Sequence, residues 1–273
     1  MSVSTSDGPA DQALKVLYTD LDGTLLGPGG SLFAAARGMS TGEAAAALLR
    51  LRRAGVELVL MSGRTRRGLH EVSRALGASA YIAELGGLLI VGADDPIEDT
   101  GAFTGPGSLP DALARAGVAG LLLERFPGHL EPVAPWTEVS VMFQGFVDVA
   151  EAGAVLEEAG FGWLYLRDNG RLRRRLPHLD VAEVRAYHLL PRGVSKASAV
   201  LRHRELRGLR PEATAAVGDS LADLEVAEVV GRFFLVANGL GAIADAPLPS
   251  NAVVTDLPHG DGFAEAVRLL LGR

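Results

Sequence analysis

An apolar run that stops at two acids, set two residues apart, is the feature that most restricts what this chain can fold into. Val16 to Leu26 reads Val-Leu-Tyr-Thr-Asp20-Leu-Asp22-Gly-Thr-Leu-Leu. Val16 to Tyr18 has the makeup of a buried strand, and Gly23 stands directly after the acids, where the backbone must turn. In open parallel sheets ligands sit beyond the carboxyl ends of strands, which is where Asp20 and Asp22 fall. Carboxylates this close repel unless a cation or a shared proton relieves them. Buried acids with a structural role are normally paired with Arg or Lys, yet no basic residue stands between Lys15 and Arg37. The pair is therefore a site candidate.

The surrounding pattern supplies a frame for it. Ser40-Thr-Gly-Glu43 has capping-box spacing ahead of a helix over Ala44 to Arg53, and a second helix spans Arg66 to Leu76, closed by Gly77. Short apolar strands are predicted at Val56 to Met61 and Ala80 to Ala83, with Leu88 to Val91 as a hairpin return. Strand and helix alternating through short links predict an α/β fold with a doubly wound parallel sheet. From Gly92 to about Pro110 the chain turns breaker-rich, with Asp94, Asp95, Pro96, Gly101, Gly105, Pro106 and Gly107. Beyond it the expected elements are a helix near Asp111 to Ala116, an apolar stretch at Leu121 to Leu123, a strand at Val139 to Phe143 and a helix at Val149 to Ala159. Trp163 to Leu166 and Arg171 to Arg173 read as two strands joined by a tight turn at Asp168-Asn169-Gly170. Such a mixture suits an α+β domain inserted into the first. The alternation resumes at Ala186 to Leu190, and Ser195 is placed to cap a helix over Lys196 to Leu206. Thr214 to Val217 is a strand ending at Gly218-Asp219-Ser220. A helix from Leu221 to Val230, strands at Phe233 to Ala237 and Ala252 to Val254, and a helix near Phe263 to Leu271 complete the pattern. The expected division is a core of residues 1–92 and 190–273 and an insertion of residues 93–189.

Bulk properties narrow the function. At 273 residues and 48% hydrophobic, the chain is long and apolar enough for a large packed core. Its formal charge of −7 argues against a nucleic-acid or membrane-surface partner, and the absence of cysteine removes thiolate chemistry and Cys-based zinc sites. The first twelve residues are polar, and no apolar run approaches the ~20 residues that span a bilayer. The expected setting is the cytoplasm. The histidines lack metal-ligand spacing. Asn238-Gly239-Leu-Gly241-Ala-Ile-Ala244 imitates a dinucleotide fingerprint, but too little chain follows to complete a mononucleotide half.

Asp20-Leu-Asp-Gly-Thr24 resembles the first signature of the haloacid dehalogenase superfamily, and further residues follow that pattern in type and order. Ser62 ends the second strand like the family's motif II Ser/Thr. Lys196 in Gly193-Val-Ser-Lys-Ala is similar to the motif III lysine, and Asp219 with Asp223 in Gly218-Asp-Ser-Leu-Ala-Asp is similar to motif IV. An insertion between motifs II and III corresponds to the C2 cap class, and its strand content suggests the C2B type of Cof-like, sucrose-phosphate and mannosyl-3-phosphoglycerate phosphatases. The resemblance implies a Rossmannoid core of three α/β/α layers under that cap, and Mg²⁺-dependent hydrolysis of a small phosphorylated metabolite, such as a sugar phosphate or phosphoglycerate derivative. Asp20 would be the nucleophile and Asp22 the general acid and base. Mg²⁺ would be held by the carboxylates of Asp20 and Asp219 and the backbone carbonyl of Asp22. Lys196, Ser62 and nearby backbone amides would bind phosphoryl oxygens, and Asp223 would support Lys196 or a metal-bound water.

These types suit the chemistry independently. Phosphate monoesters hydrolyse extremely slowly unaided, and a carboxylate nucleophile divides the reaction into two easier steps. A neighbouring acid can move the proton in each step. Other readings remain open: Ser62 as a helix cap, Asp223 as an acid at a helix N-terminus, Lys196 as a surface lysine. Gly63, Arg64 and Asn238 sit on loops at the expected site edge as substrate contacts. Arg167, Arg171, Arg173, Arg174 and Arg175 form a basic cluster that is either a solvated hairpin face or an anchor for a second anionic group. The motif departs from many relatives at Ala222, where Asn is common, and at Glu84-Leu85-Gly86, where Glu-Asn-Gly is common. A phosphomutase would use the same acid pair. A non-catalytic phosphate sensor would need neither Asp22 nor an insertion.

Overall fold

The computed structural model describes residues 13–35, 39–92, 95–133, 137–172, 174–243 and 246–272. The polar first twelve residues, Arg37, Asp94, Arg173 and Ala244 lie outside them. In chain order the elements begin with β1 (Val16–Asp20), α1 (Glu43–Arg53), β2 (Glu57–Met61), α2 (Arg66–Leu76) and β3 (Ala80–Ala83). Then come β4 (Leu88–Val91), β5 (Asp95–Glu98), α3 (Leu109–Arg115), α4 (Val118–Arg125), β6 (Leu130–Pro132) and β7 (Val141–Gly145). These are followed by α5 (Val149–Glu158), β8 (Leu164–Leu172), β9 (Val184–Pro191), α6 (Lys196–Leu206) and β10 (Thr214–Gly218). The chain closes with α7 (Leu221–Leu224), β11 (Arg232–Leu235), α8 (Leu240–Ile243), β12 (Ala252–Val254) and α9 (His259–Leu271).

Two compact units share these elements. The first comprises residues 1–61, 73–81 and 200–273, and the second residues 62–72 and 82–199. In the first, parallel strands run in the order β12-β11-β10-β1-β2. β1 and β10 are buried along their whole length, which is why they read as continuous apolar runs instead of alternating ones. Leu17, Leu60, Phe233, Phe234 and Phe263 fill the core. Helices α1 and α9 approach closely where Gly260 meets Ala44, since a Cβ on that glycine would lie 3.0 Å from the alanine methyl.

The second unit contains an antiparallel sheet in the order β6-β7-β9-β8 and the antiparallel hairpin β4-β5. Leu113, Leu122 and Leu156 from its helices pack with Phe143, Leu164 and Tyr187 from the sheet into one apolar cluster. Among the described residues no helix is long and apolar enough to cross a membrane.

Several expectations are corrected. Asp168-Asn169-Gly170 does not join two strands. It lies inside the single strand β8, where pairing with β9 shifts register between Asp168 and Arg171. The Asp168 carboxylate accepts the Gly170 N–H (2.8 Å), and Gly170 takes a φ of 93°, so the turn-forming residues make a bulge. Ala186 to Leu190 belongs to β9 in the antiparallel sheet and does not reopen the parallel one, because an apolar run carries no mark of its pairing partner. Pro96 suggested a loop, yet it sits in β5, exposed, as proline can in a strand with a free side. Ser40 does not cap α1. Gly42 holds the cap position and Thr41 Oγ1 accepts the Glu43 N–H. The helix expected from Leu221 to Val230 becomes α7 followed by a 3₁₀ stretch over Glu225–Val229, where β-branched valines lower helix propensity.

Candidate active site

Three carboxylates from two separate stretches of the first unit converge. Oxygens of Asp20, Asp219 and Asp223 all lie within 4.8 Å of one another. Strand ends deliver two of them, Asp20 closing β1 and Asp219 following β10, the parallel neighbour of β1, while Asp223 lies just beyond in α7. Asp20 is buried, Asp219 partly so. Asp223 is fully buried and forms a capping box on α7: Ser220 Oγ accepts its N–H, while its Oδ2 accepts the Ser220 N–H, the Ser220 hydroxyl and the Asp219 N–H. The helix-cap reading of Asp223 and its place beside the other acids therefore both hold. Asp22 is exposed at the start of the turn, where the Gly23 N–H donates to the Leu26 carbonyl three residues on (3.0 Å).

Gly23 makes the convergence possible. Its φ is 98°, and a Cβ there would lie 2.2 Å from Asp219 Oδ2. Two residues then hold Asp219. Thr24 Oγ1 donates to its Oδ1 (3.3 Å), and the Asn238 amide donates to its Oδ2 (3.2 Å) and to the Gly23 carbonyl (3.0 Å). Asn238 is fixed in turn by the His259 N–H, which donates to Asn238 Oδ1 (2.7 Å), and the imidazole Nδ1 sits 2.9 Å from the Gly23 carbonyl. Asn238 thus ties the acid turn and Asp219 to the start of α9. His259 was not singled out from sequence, because a lone histidine at a helix start carries no spacing signal.

The remaining expected site residues fall in the second unit. Ser62 follows β2 and is buried; its Oγ accepts the Arg64 N–H (3.1 Å). Gly63 lies against Asn169 of β8, so close that a Cβ would come within 2.2 Å of the amide nitrogen. Lys196 is 3% exposed and opens α6, whose first turn Ser195 caps by accepting the Ser198 N–H (3.1 Å). Two arginines of the basic cluster have local partners. Arg171 pairs with Glu183 (3.5 Å) and Arg174 donates to Gln144, while nearby Arg185 pairs with Asp168 (2.6 Å). The solvated-face reading fits these pairs.

An all-oxygen donor set at the ends of adjacent parallel strands can hold a hard divalent cation, which prefers such ligands and relieves their mutual repulsion. A carboxylate in that position is also placed to act as a nucleophile.

Similar proteins point the same way. The family model for haloacid dehalogenase-like hydrolases matches residues 17–101 and 178–266. A protein named phosphoglycolate phosphatase from Methanoculleus marisnigri is 31% identical over 93% of this chain and 96% of its own length. Another of that name from Methanococcoides burtonii is 26% identical over 94% and 97%. Among solved structures, the sucrose-phosphatase of a Synechocystis species aligns with a TM-score of 0.67 at 17% identity, over 94% of this chain and 98% of that one. A Thermoplasma acidophilum protein aligns with a TM-score of 0.66 at 17% identity, over 95% and 99%. The chain belongs to the haloacid dehalogenase-like hydrolases, among the phosphatases of that superfamily.

Proposed function

We propose that the protein is a Mg²⁺-dependent phosphomonoesterase acting on a small phosphorylated acid of the phosphoglycolate kind. The observation that carries this reading is the crowding of Asp20, Asp219 and Asp223 within 4.8 Å of one another. The substrate class is supported by relatives that carry the name phosphoglycolate phosphatase and match nearly the whole chain. Residues 93–189 are read as the cap, and residues 1–92 with 190–273 as the core.

In this mechanism Asp20 attacks phosphorus through one carboxylate oxygen. The bond to the leaving oxygen breaks as Asp22 donates a proton to it, leaving an aspartyl-phosphate. Asp22 then takes a proton from water, which attacks phosphorus and releases phosphate and free Asp20. Ser62 and Lys196 hold phosphoryl oxygens, the lysine balancing their charge. Asp20, Asp219 and the Asp22 carbonyl would hold Mg²⁺, which when bound neutralises charge developing on the phosphoryl group. Thr24 and Asn238 keep Asp219 turned toward Asp20.

The test is phosphate release from phosphoglycolate, 3-phosphoglycerate, a sugar phosphate and a small aromatic phosphate, with Mg²⁺ or with chelator. Chelator-sensitive release, greatest for phosphoglycolate, is the expected result. No release from any of them, or equal release with chelator, overturns the reading.

A further inference from the structure

One completely buried carboxylate holds a turn of the second unit whose backbone touches two stretches that the proposed chemistry uses. Glu84 is 0% exposed, and its oxygens accept the Glu138 N–H (2.7 Å), the Val139 N–H (3.1 Å) and the Ser140 hydroxyl (2.7 Å). Ser140 has one proton and gives it to Glu84, so its oxygen accepts from His188 Nδ1, 3.1 Å away. Nδ1 then carries a hydrogen, and burial and the charge of Lys196 push the imidazole down to about 4.

The backbone at Glu84 is as constrained as its side chain. Glu84 and Leu85 have φ of 50° and 58°, a left-handed pair that residues with a Cβ adopt only when their surroundings impose it. Toward one side, the Glu84 N–H donates to the Arg64 carbonyl (3.0 Å) and the Leu85 N–H to the Ser62 carbonyl (3.1 Å). Toward the other, Gly86 presses on the residue before Lys196: a Cβ on Gly86 would lie 2.0 Å from the Ser195 carbonyl oxygen. Gly87 meets Val139 in the same way, at 2.4 Å. The turn 84–86 is therefore wedged between the Ser62–Arg64 loop and the start of α6, and the three donors on its carboxylate hold it there.

We propose that Glu84 is a positioning residue for Lys196 and Ser62: by clamping residues 138–140 it keeps a strained turn in place, and the turn sets both phosphoryl-binding groups. This inference rests on the reading of those two residues as phosphoryl ligands. Without the carboxylate the left-handed pair relaxes, and the Ser195 carbonyl and Ser62 lose their backstop.

The test compares Glu84→Gln and Ser140→Ala with wild type, with Lys196→Ala as reference. Gln keeps the shape but sets an N–H₂ against donors. In Glu84→Gln, kcat should fall about a hundredfold, as for a displacement near 1 Å, with KM within about threefold. Hydrogen exchange should quicken in peptides covering 62–64 and 195–198 while the α9 amides keep their protection. Wild-type kcat and exchange overturn the proposal, and so does a loss of activity that only tracks the folded fraction. Should Glu84→Gln fail to fold, Ser140→Ala decides, with a smaller drop in kcat and the same local exchange expected, and wild-type values fatal. Full activity in Lys196→Ala would overturn the lysine's assigned role. A wild type without phosphatase activity would overturn the reading of function. In either case the exchange pattern still shows whether Glu84 holds the two segments.

Discussion

The two units bury acids in different company. In the first, Asp20, Asp219 and Asp223 are brought within 4.8 Å of one another, an arrangement that works against itself electrostatically. In the second, Glu84 is sealed from solvent and supplied with three donors from one neighbouring segment. Folds tolerate the first pattern where a ligand is to be gathered, and the second where backbone is to be held. Burial of a carboxylate is thus informative only together with what surrounds it.

The sharpest way to break this contrast is Asp20→Asn. It is nearly isosteric, so circular dichroism and melting should match wild type while turnover falls by at least about a thousandfold. Retained turnover would remove Asp20 from the chemistry. Next comes Gly23→Ala. The added methyl meets Asp219 and the φ of 98° suits glycine alone, so Mg²⁺ binding by titration calorimetry should weaken about tenfold. Melting should show a loss of ~1–3 kcal/mol. Unchanged affinity would mean that the crowding serves no cation.

The smallest effect concerns pH and separates the units through one buried histidine in each. His203 Nδ1 is hydrogen-bonded with the Tyr18 hydroxyl (2.8 Å) and the ring, like that of His188, is pushed by burial down to about 4. Both unfold to a group near 6.5, so the unfolded chain takes up the proton first and stability falls as pH drops from about 6.5 toward 4. Glu84 acts with the opposite sign, because burial raises its carboxyl and the folded state takes up that proton at higher pH than the unfolded chain. Denaturant melts at pH 7 and 4.5 should show a smaller acid loss in His203→Gln than in wild type. An unaltered difference would mean that His203 is already charged in the fold.

What could be read in advance followed a physical rule. The meeting of Asp20 with Asp219 was legible because strand-end acids sit at the edge of a parallel sheet whatever packs around them, and β1 and β10 indeed lie side by side. Asn238 was placed near the site, but its role toward Asp219 depends on His259 and on the carbonyl of Gly23, contacts spanning 21 and 215 residues. The part played by Glu84 depends on partners 54 to 56 residues away, and nothing local marks them. Asn169-Gly170 failed for the complementary reason. Its local preference for turning is real, but pairing of β8 with β9 on both sides of it converts the turn into a bulge.

The segments that make up the two units alternate along the chain, with changes after Met61, Val72, Tyr81 and Ala199. No single cut can therefore release either unit whole. A fragment ending at Met61 lacks β10, and one starting at Ser62 lacks β1, the two strands that carry Asp20 and lead to Asp219. Reassembly from separately expressed pieces, or a circular permutant opened in an exposed loop, is the workable route for dissecting this protein, because truncation separates the very strands that must pair.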